Sequence, residues 1–270
     1  METIPSRRAL TERPRYPWKI FWLLLFASIV GVAALLPYLL AFFQKIISTN
    51  PLPMPLPVLM AVQIMQSAIL FAAFTSLGLV LAPRAGIEMP ILRGWFYGGA
   101  APSTKNSAGL PIIAGVAMAG FLLLVFYLYF LPRIPEWPVG VEAAMPIWKR
   151  LLSCFYGAIN EEIVARLFVL SLLLWLFRKI ARQQSPKASP VIFWMVNVIV
   201  AGLFAIGHIP AAKVFLEITP LVIVALVTIN GSASLLFGYL CWKRGLEAAM
   251  LAHFSTDFML HVIGPMFFRG

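Results

Sequence analysis

Charge is what this chain of 270 residues has least of: Asp, Glu, Lys and Arg make up 11% of it, where soluble domains hold about a quarter. That scarcity, with a mean hydropathy of +0.90, excludes a single soluble fold. Aspartate occurs once, at Asp257, and histidine only at His208, His253 and His261. The two cysteines, Cys154 and Cys241, are too few for a disulfide framework and sit in apolar runs, where we expect buried free thiols. No internal repeat, low-complexity tail or second soluble unit is evident, so residues 1–270 read as a single membrane domain.

What fills the space is long apolar segments. A helix rising 1.5 Å per residue needs about 20 residues to cross a ~30 Å hydrocarbon core. Cutting the chain at Pro, Gly and charge clusters gives seven spans, with six to eight as the range: 18–43, 57–82, 109–131, 147–178, 190–209, 218–242 and 246–267. The expected fold is an all-α, polytopic transmembrane helical bundle. The first span is too long for a signal peptide and reads as a retained helix. Pro51, Pro53, Pro55 and Pro57 make a tight connection that cannot continue a helix. In the polar interval 83–108, Ile91, Leu92, Trp95, Phe96 and Tyr97 form a candidate interfacial segment.

The net charge of +11 is spread over short segments between spans, which points to topology and anionic lipid headgroups and away from nucleic acid. Residues 1–17 are a basic segment expected in the cytoplasm, and Lys and Arg in the 83–108 loop, in the 178–187 loop and at Lys243 and Arg244 agree with it. Lys149 and Arg150 fall on the opposite side as an exception.

Ionisable side chains inside spans are costly and mark cavities, partners or sites. The fourth span carries Glu161, Glu162 and Arg166. Helical spacing pairs Glu162 with Arg166, one turn on, and turns Glu161 to a different face with no local cation. An isolated carboxylate in a low-dielectric cavity suits a general base or acid; the competing reading is a structural ion cluster that fixes register. His208 follows Phe204 by one turn near the end of the fifth span, where Pro210 stops the helix, and alone it reads as an interfacial residue. His253, Asp257 and His261 recur every four residues along one stripe of the seventh span. One conflict stands out: on this topology His208 lies near the outer end of its span, whereas His253 lies about seven residues, or ~10 Å, inside the inner end of its own. A misplaced helix boundary would resolve it, as would a break at Asn230-Gly231 that keeps the sixth span from crossing fully.

The motifs Glu161-Glu162-Ile-Val-Ala-Arg166, Phe204-Ala-Ile-Gly-His208 and His253-Phe-Ser-Thr-Asp257, with the glycine-and-basic passage Leu235 to Leu246, resemble the CPBP family of CAAX prenyl endopeptidases and bacteriocin-processing or immunity proteins, also called Abi. The resemblance covers about residues 147–262, the expected catalytic core. It implies an intramembrane endopeptidase in which Glu161 activates water, Glu162 orients Arg166, His208 assists the water or leaving group, and His253 with Asp257 stabilises the oxyanion. Two departures stand out: Asp257 where asparagine is an alternative, and Ala165-Arg166-Leu167 where many members have Phe-Arg-Gly. An ionised Asp257 cannot donate a hydrogen bond and would orient His253 instead.

Two histidines and several carboxylates also suit zinc with an open position for water. The absence of His-Glu-x-x-His removes the common zincin arrangement, and the resemblance implies a glutamate base with no cofactor. The expected partners are membrane lipids and a membrane-tethered protein or peptide substrate, in a bacterial inner (plasma) membrane. The alternatives are a non-catalytic relative acting in immunity or partner binding, and a proton-coupled transporter, for which no inverted repeat is visible.

Overall fold

The computed structural model describes residues 16–49, 54–98, 104–185 and 187–268, and among these it is all helical, with no strand. The basic segment 1–17, except Tyr16 and Pro17, lies outside the described residues, as do residues 50–53 of the proline-rich connection. The main helices are α1 (Trp18–Phe42), α2 (Leu56–Ala85), α3 (Pro90–Tyr97), α4 (Thr104–Val125), α5 (Val139–Ala144), α6 (residues 147–180), α7 (Pro190–Gly207), α8 (residues 220–244) and α9 (residues 246–263).

Five segments are long and apolar enough to cross a membrane: Trp18–Phe42, Leu56–Ala85, Ala108–Arg133, Pro190–Ala212 and Pro220–Arg244. The other two spans expected from the sequence, in α6 and α9, are helical where they were placed. Seven charged residues, Lys149, Arg150, Glu161, Glu162, Arg166, Arg178 and Lys179, fall in α6, which masks its length in hydropathy alone. Side chains such as Ile69, Leu124 and Val191 face outward, as lipid-exposed surface requires. Inside, α6 buries Ile163, Leu167, Leu170 and Leu174 against α1 and α2, and α9 lies between α4 and α8.

Buried polar side chains tie the spans. Asn160 Nδ2 donates to the Ser28 carbonyl at 3.0 Å, Asn197 Nδ2 to that of Leu235 at 3.0 Å, and Thr256 Oγ1 to that of Gly115 at 3.1 Å. Such interhelical bonds and close approaches stand in for the hydrophobic drive that lipid removes. The passage from α8 to α9 turns on Gly245, whose φ of 99° is a conformation other residues resist. Leu246 N then donates to the Glu88 carbonyl at 3.0 Å, and the Glu247 carboxylate accepts from Leu92 N at 3.0 Å. The amphipathic segment of the 83–108 interval is thereby fastened, as α3, to the start of α9.

Wide helical turns interrupt the regular ones. Residues Phe126–Phe130, Tyr156–Glu161, Ile163–Leu170, Val227–Gly231 and Phe258–Ile263 are π-helical. The expected alternative of a break at Asn230-Gly231 is corrected here: those residues form one of the wide turns, and α8 runs through. Pro210 likewise does not end all helix, because after His208 a short turn, Ile209–Ala212, carries Pro210 in its first turn, where no amide donor is needed. Arg150 is also reassigned. It is fully buried and donates through Nη1 to the carbonyls of His261 (3.2 Å) and Val262 (3.4 Å), so it caps the end of α9 and is no loop charge.

Candidate active site

The charges on α6 separate by exposure. Glu162 and Arg166 are fully buried and paired at 2.9 Å, as the i,i+4 spacing predicts. The Arg166 guanidinium also donates to Ser234, to its carbonyl at 2.8 Å and its hydroxyl at 2.7 Å, and lies over the rings of Phe204 (5.2 Å) and Phe237 (5.5 Å). Glu161 has no Arg or Lys partner among the described residues, and 26% of its side chain remains exposed. The neighbouring carboxylates thus do different things: one is locked in the core and the other reaches a cavity.

His253 joins the two. Its Nδ1 lies 2.7 Å from Glu162 Oε1, the oxygen that also holds Arg166, while its Nε2 faces Asp257 Oδ2 at 3.5 Å and Glu161 Oε2 at 3.8 Å. The group that fixes the ring is therefore Glu162, which the sequence assigns to Arg166 alone. The orienting role expected for an ionised Asp257 passes to Glu162 on distance. Phe237 stacks on the imidazole at 4.5 Å and Phe204 meets it edge-on at 6.1 Å. Carboxylates face both ring nitrogens, so a protonated ring can donate on each side, whereas a neutral ring leaves one side without a donor.

Gly157 makes this approach possible. A Cβ there would stand 2.2 Å from Asp257 Oδ2 and 3.0 Å from His253 Nε2, so any side chain would displace the pair. Nothing in the sequence marks this glycine among the others of apolar runs.

His208 does not bond to that cluster. Its Nδ1 lies 2.8 Å from the Phe204 carbonyl, which only accepts, so Nδ1 carries the proton and Nε2 of the neutral ring is left an acceptor. The Phe204 ring lies 4.8 Å from the imidazole. The structure nonetheless unites the residues that the sequence leaves at different depths: Glu161, His208, His253, Asp257 and His261 line one cavity of about 300 Å³. Glu161, Phe204 and His208 also line a second, apolar cavity of about 270 Å³ between α6 and α7.

His261 belongs to a neighbouring cluster. Its Nδ1 lies 2.6 Å from Glu142 Oε1, which also accepts from the Tyr38 hydroxyl at 3.0 Å. Sequence reading missed Glu142 and Tyr38, which lie on α5 and α1, outside the stretch that carries the motifs. Among the described residues, no group of three or more His, Cys, Asp and Glu side chains is arranged to hold a metal ion.

Comparison with known proteins returns no match among curated proteins and none among solved structures. A family model described as type II CAAX prenyl endopeptidase, Rce1-like, matches residues 143–259. That stretch holds Glu161, Glu162, Arg166, His208, His253 and Asp257 together. Over the segment that builds the cluster the chain is therefore similar to the CAAX-type intramembrane endopeptidases of the CPBP family, and its long apolar helices are those of an integral membrane protein.

Proposed function

We propose that the protein hydrolyses a peptide bond in a membrane-associated protein or peptide, with Glu161 as the general base. The observation that carries this is the convergence of Glu161 and Asp257 on His253 Nε2 at a cavity wall, with the opposite nitrogen held by Glu162. Only Glu161 of the glutamate pair is open to a water molecule. A base within reach of water and donors aimed at developing negative charge are what amide hydrolysis needs.

In this reading water attacks the carbonyl carbon and gives its proton to Glu161, while the protonated His253 donates from Nε2 to the oxyanion. Asp257 keeps the proton on that nitrogen. Collapse of the tetrahedral species breaks the C–N bond, and the proton held by Glu161 passes to the departing amine. His208, with Nε2 as acceptor, holds the water or the new amine at the cavity's other wall. The reaction needs no metal as written, because the proton path closes on this chain's own side chains.

The test is cleavage of a proteome-derived peptide library by purified protein in lipid nanodiscs. Glu161→Ala is expected to abolish cleavage and Glu161→Gln to lower it at least a thousandfold, with wild-type activity unchanged by EDTA or 1,10-phenanthroline. Activity that survives Glu161→Ala overturns the glutamate assignment. Activity lost to chelator and restored by zinc overturns the metal-free reading.

A further inference from the structure

Beside the proposed catalytic cavity lies a third one, of about 230 Å³, lined among others by Tyr38, Phe42, Phe126, Tyr127, Trp137 and Glu142. The two adjoin across shared walls, among them Phe42, Trp137, Leu260 and His261. The rings come in two packed pairs, Tyr38 on Phe42 with centroids 5.5 Å apart and Phe126 against Trp137 at 5.1 Å. Such an aromatic box with a carboxylate in its wall is a cation-binding arrangement, because ring faces and carboxylate both attract positive charge. Both hydrogen bonds to Glu142 among the described residues fall on Oε1, so the carboxylate is oriented by Tyr38 and His261 while it lines the box.

The charge of the adjoining cavities agrees. Glu142, Glu161 and Asp257 line the two cavities; among the described residues no Lys or Arg does, and the other ionisable lining groups are His208, His253, His261 and the phenols of the box. Even with His253 protonated, as in the hydrolytic reading, the three carboxylates outnumber it, a local excess of acid in a chain that carries +11 as a whole. A peptide's terminal carboxylate would meet no Lys or Arg there among the described residues, whereas a lysine or arginine side chain would meet Glu142 in a wall that also holds the rings of Tyr38, Phe42, Phe126, Tyr127 and Trp137.

We propose that this box is a specificity subsite for a basic side chain, lysine or arginine, close to the cleaved bond of the substrate. The inference rests on the hydrolytic reading for its meaning as a subsite, but cation binding can be tested without catalysis. The probe is n-butylammonium, a mimic of the lysine side chain, with n-butanol as the uncharged control, followed by thermal shift of the protein in nanodiscs. Butylammonium is expected to raise the melting temperature of the wild type and of Glu161→Gln, and butanol is not. Glu142→Gln, and independently Trp137→Leu, should weaken the butylammonium response roughly tenfold, the scale of a lost cation–π and charge contact. Equal responses to butylammonium and butanol, or an unchanged response in both variants, overturn the subsite.

The cleavage arm uses the same peptide library. Bonds cut in a Glu161-dependent way should be enriched in Lys or Arg at one fixed position, and Glu142→Gln should lower that enrichment. Glu161-dependent cleavage with no basic preference overturns the inference and leaves the hydrolytic reading standing. Selective butylammonium binding without any Glu161-dependent cleavage does the reverse.

Discussion

Gly157 sets the distance between α6 and the His253–Asp257 pair, and its role is steric. A methyl group 2.2 Å from Asp257 Oδ2 must push the carboxylate, the imidazole or the helix aside, and the pair stands within 3.8 Å of Glu161. Gly157→Ala is expected to lower Glu161-dependent cleavage at least tenfold, about 1.4 kcal/mol in barrier, while the protein still folds and inserts. Cleavage rates measured beside melting curves check this, and undiminished cleavage would show that the pair can shift at no catalytic expense. The contrast with Glu161 shows which residues a sequence can reveal. Glu161, Glu162, Arg166 and Asp257 are legible because a charge in an apolar run has to be explained. Gly157 and Phe237 are ordinary residues for a membrane helix, and only the partner helix gives them meaning. Glu142 is a charge in a short loop helix, where charge is unremarkable, and its bond to His261 spans 119 positions of sequence.

At the scale of elements, spans and their order follow from hydropathy, but their turns do not. Reading residues at 3.6 per turn assumes an α-helix, which holds for His253 and Asp257 but not for the π-helical stretches on either side of Glu162, at Val227–Gly231 and at Phe258–Ile263. Wide turns of this kind are frequent at functional sites because they re-aim side chains and free backbone groups. Here Ile229, Asn230, Leu260 and His261 of such turns all line the cavity. The last of them is held by Arg150, whose guanidinium caps the carbonyls of His261 and Val262 from inside the bundle. A cation at a helix C-terminus contributes up to about 2 kcal/mol in partly buried settings. Arg150→Leu is therefore expected to speed hydrogen exchange over residues 258–268 by roughly five- to thirtyfold, with exchange in α1 and α2 unchanged. Uniform loosening of the whole protein would instead assign Arg150 to global stability.

Across the whole molecule, basic side chains are densest at one end, while Arg133, Lys149 and Lys213 lie at the other. Lys19, Arg84, Arg93, Arg178, Lys179, Lys187, Lys243 and Arg244 lie at the ends of α1, α2, α6 and α8 and beside α3, where Lys19 N meets the Tyr97 hydroxyl, Arg178 donates to the Arg84 carbonyl and Lys187 pairs with Glu88 at 3.9 Å. At the opposite ends Phe42, Trp137, Ala212 and Phe215 line the catalytic cavity, and the acids Glu136 and Glu217 lie near them in sequence. If the denser basic end lies in the cytoplasm, as the positive-inside rule predicts, the cavity is expected on the other face, toward substrates displayed outside the cytoplasm. This settles in physical terms why the depths of His208 and His253 conflicted: the site sits toward one end of the bundle, and α9 enters it through its C-terminal half, from His253 to His261. Single cysteines test the arrangement cleanly, since Cys154 and Cys241 are buried. In intact cells a membrane-impermeant maleimide should label Glu136→Cys and Lys213→Cys, and should label Lys187→Cys and Lys243→Cys only after the membrane is opened. The reverse pattern would turn the cavity to the cytoplasm. Labelling of Lys187→Cys and Lys213→Cys from the same side would mean that α7 does not cross, and would break the fold reading itself.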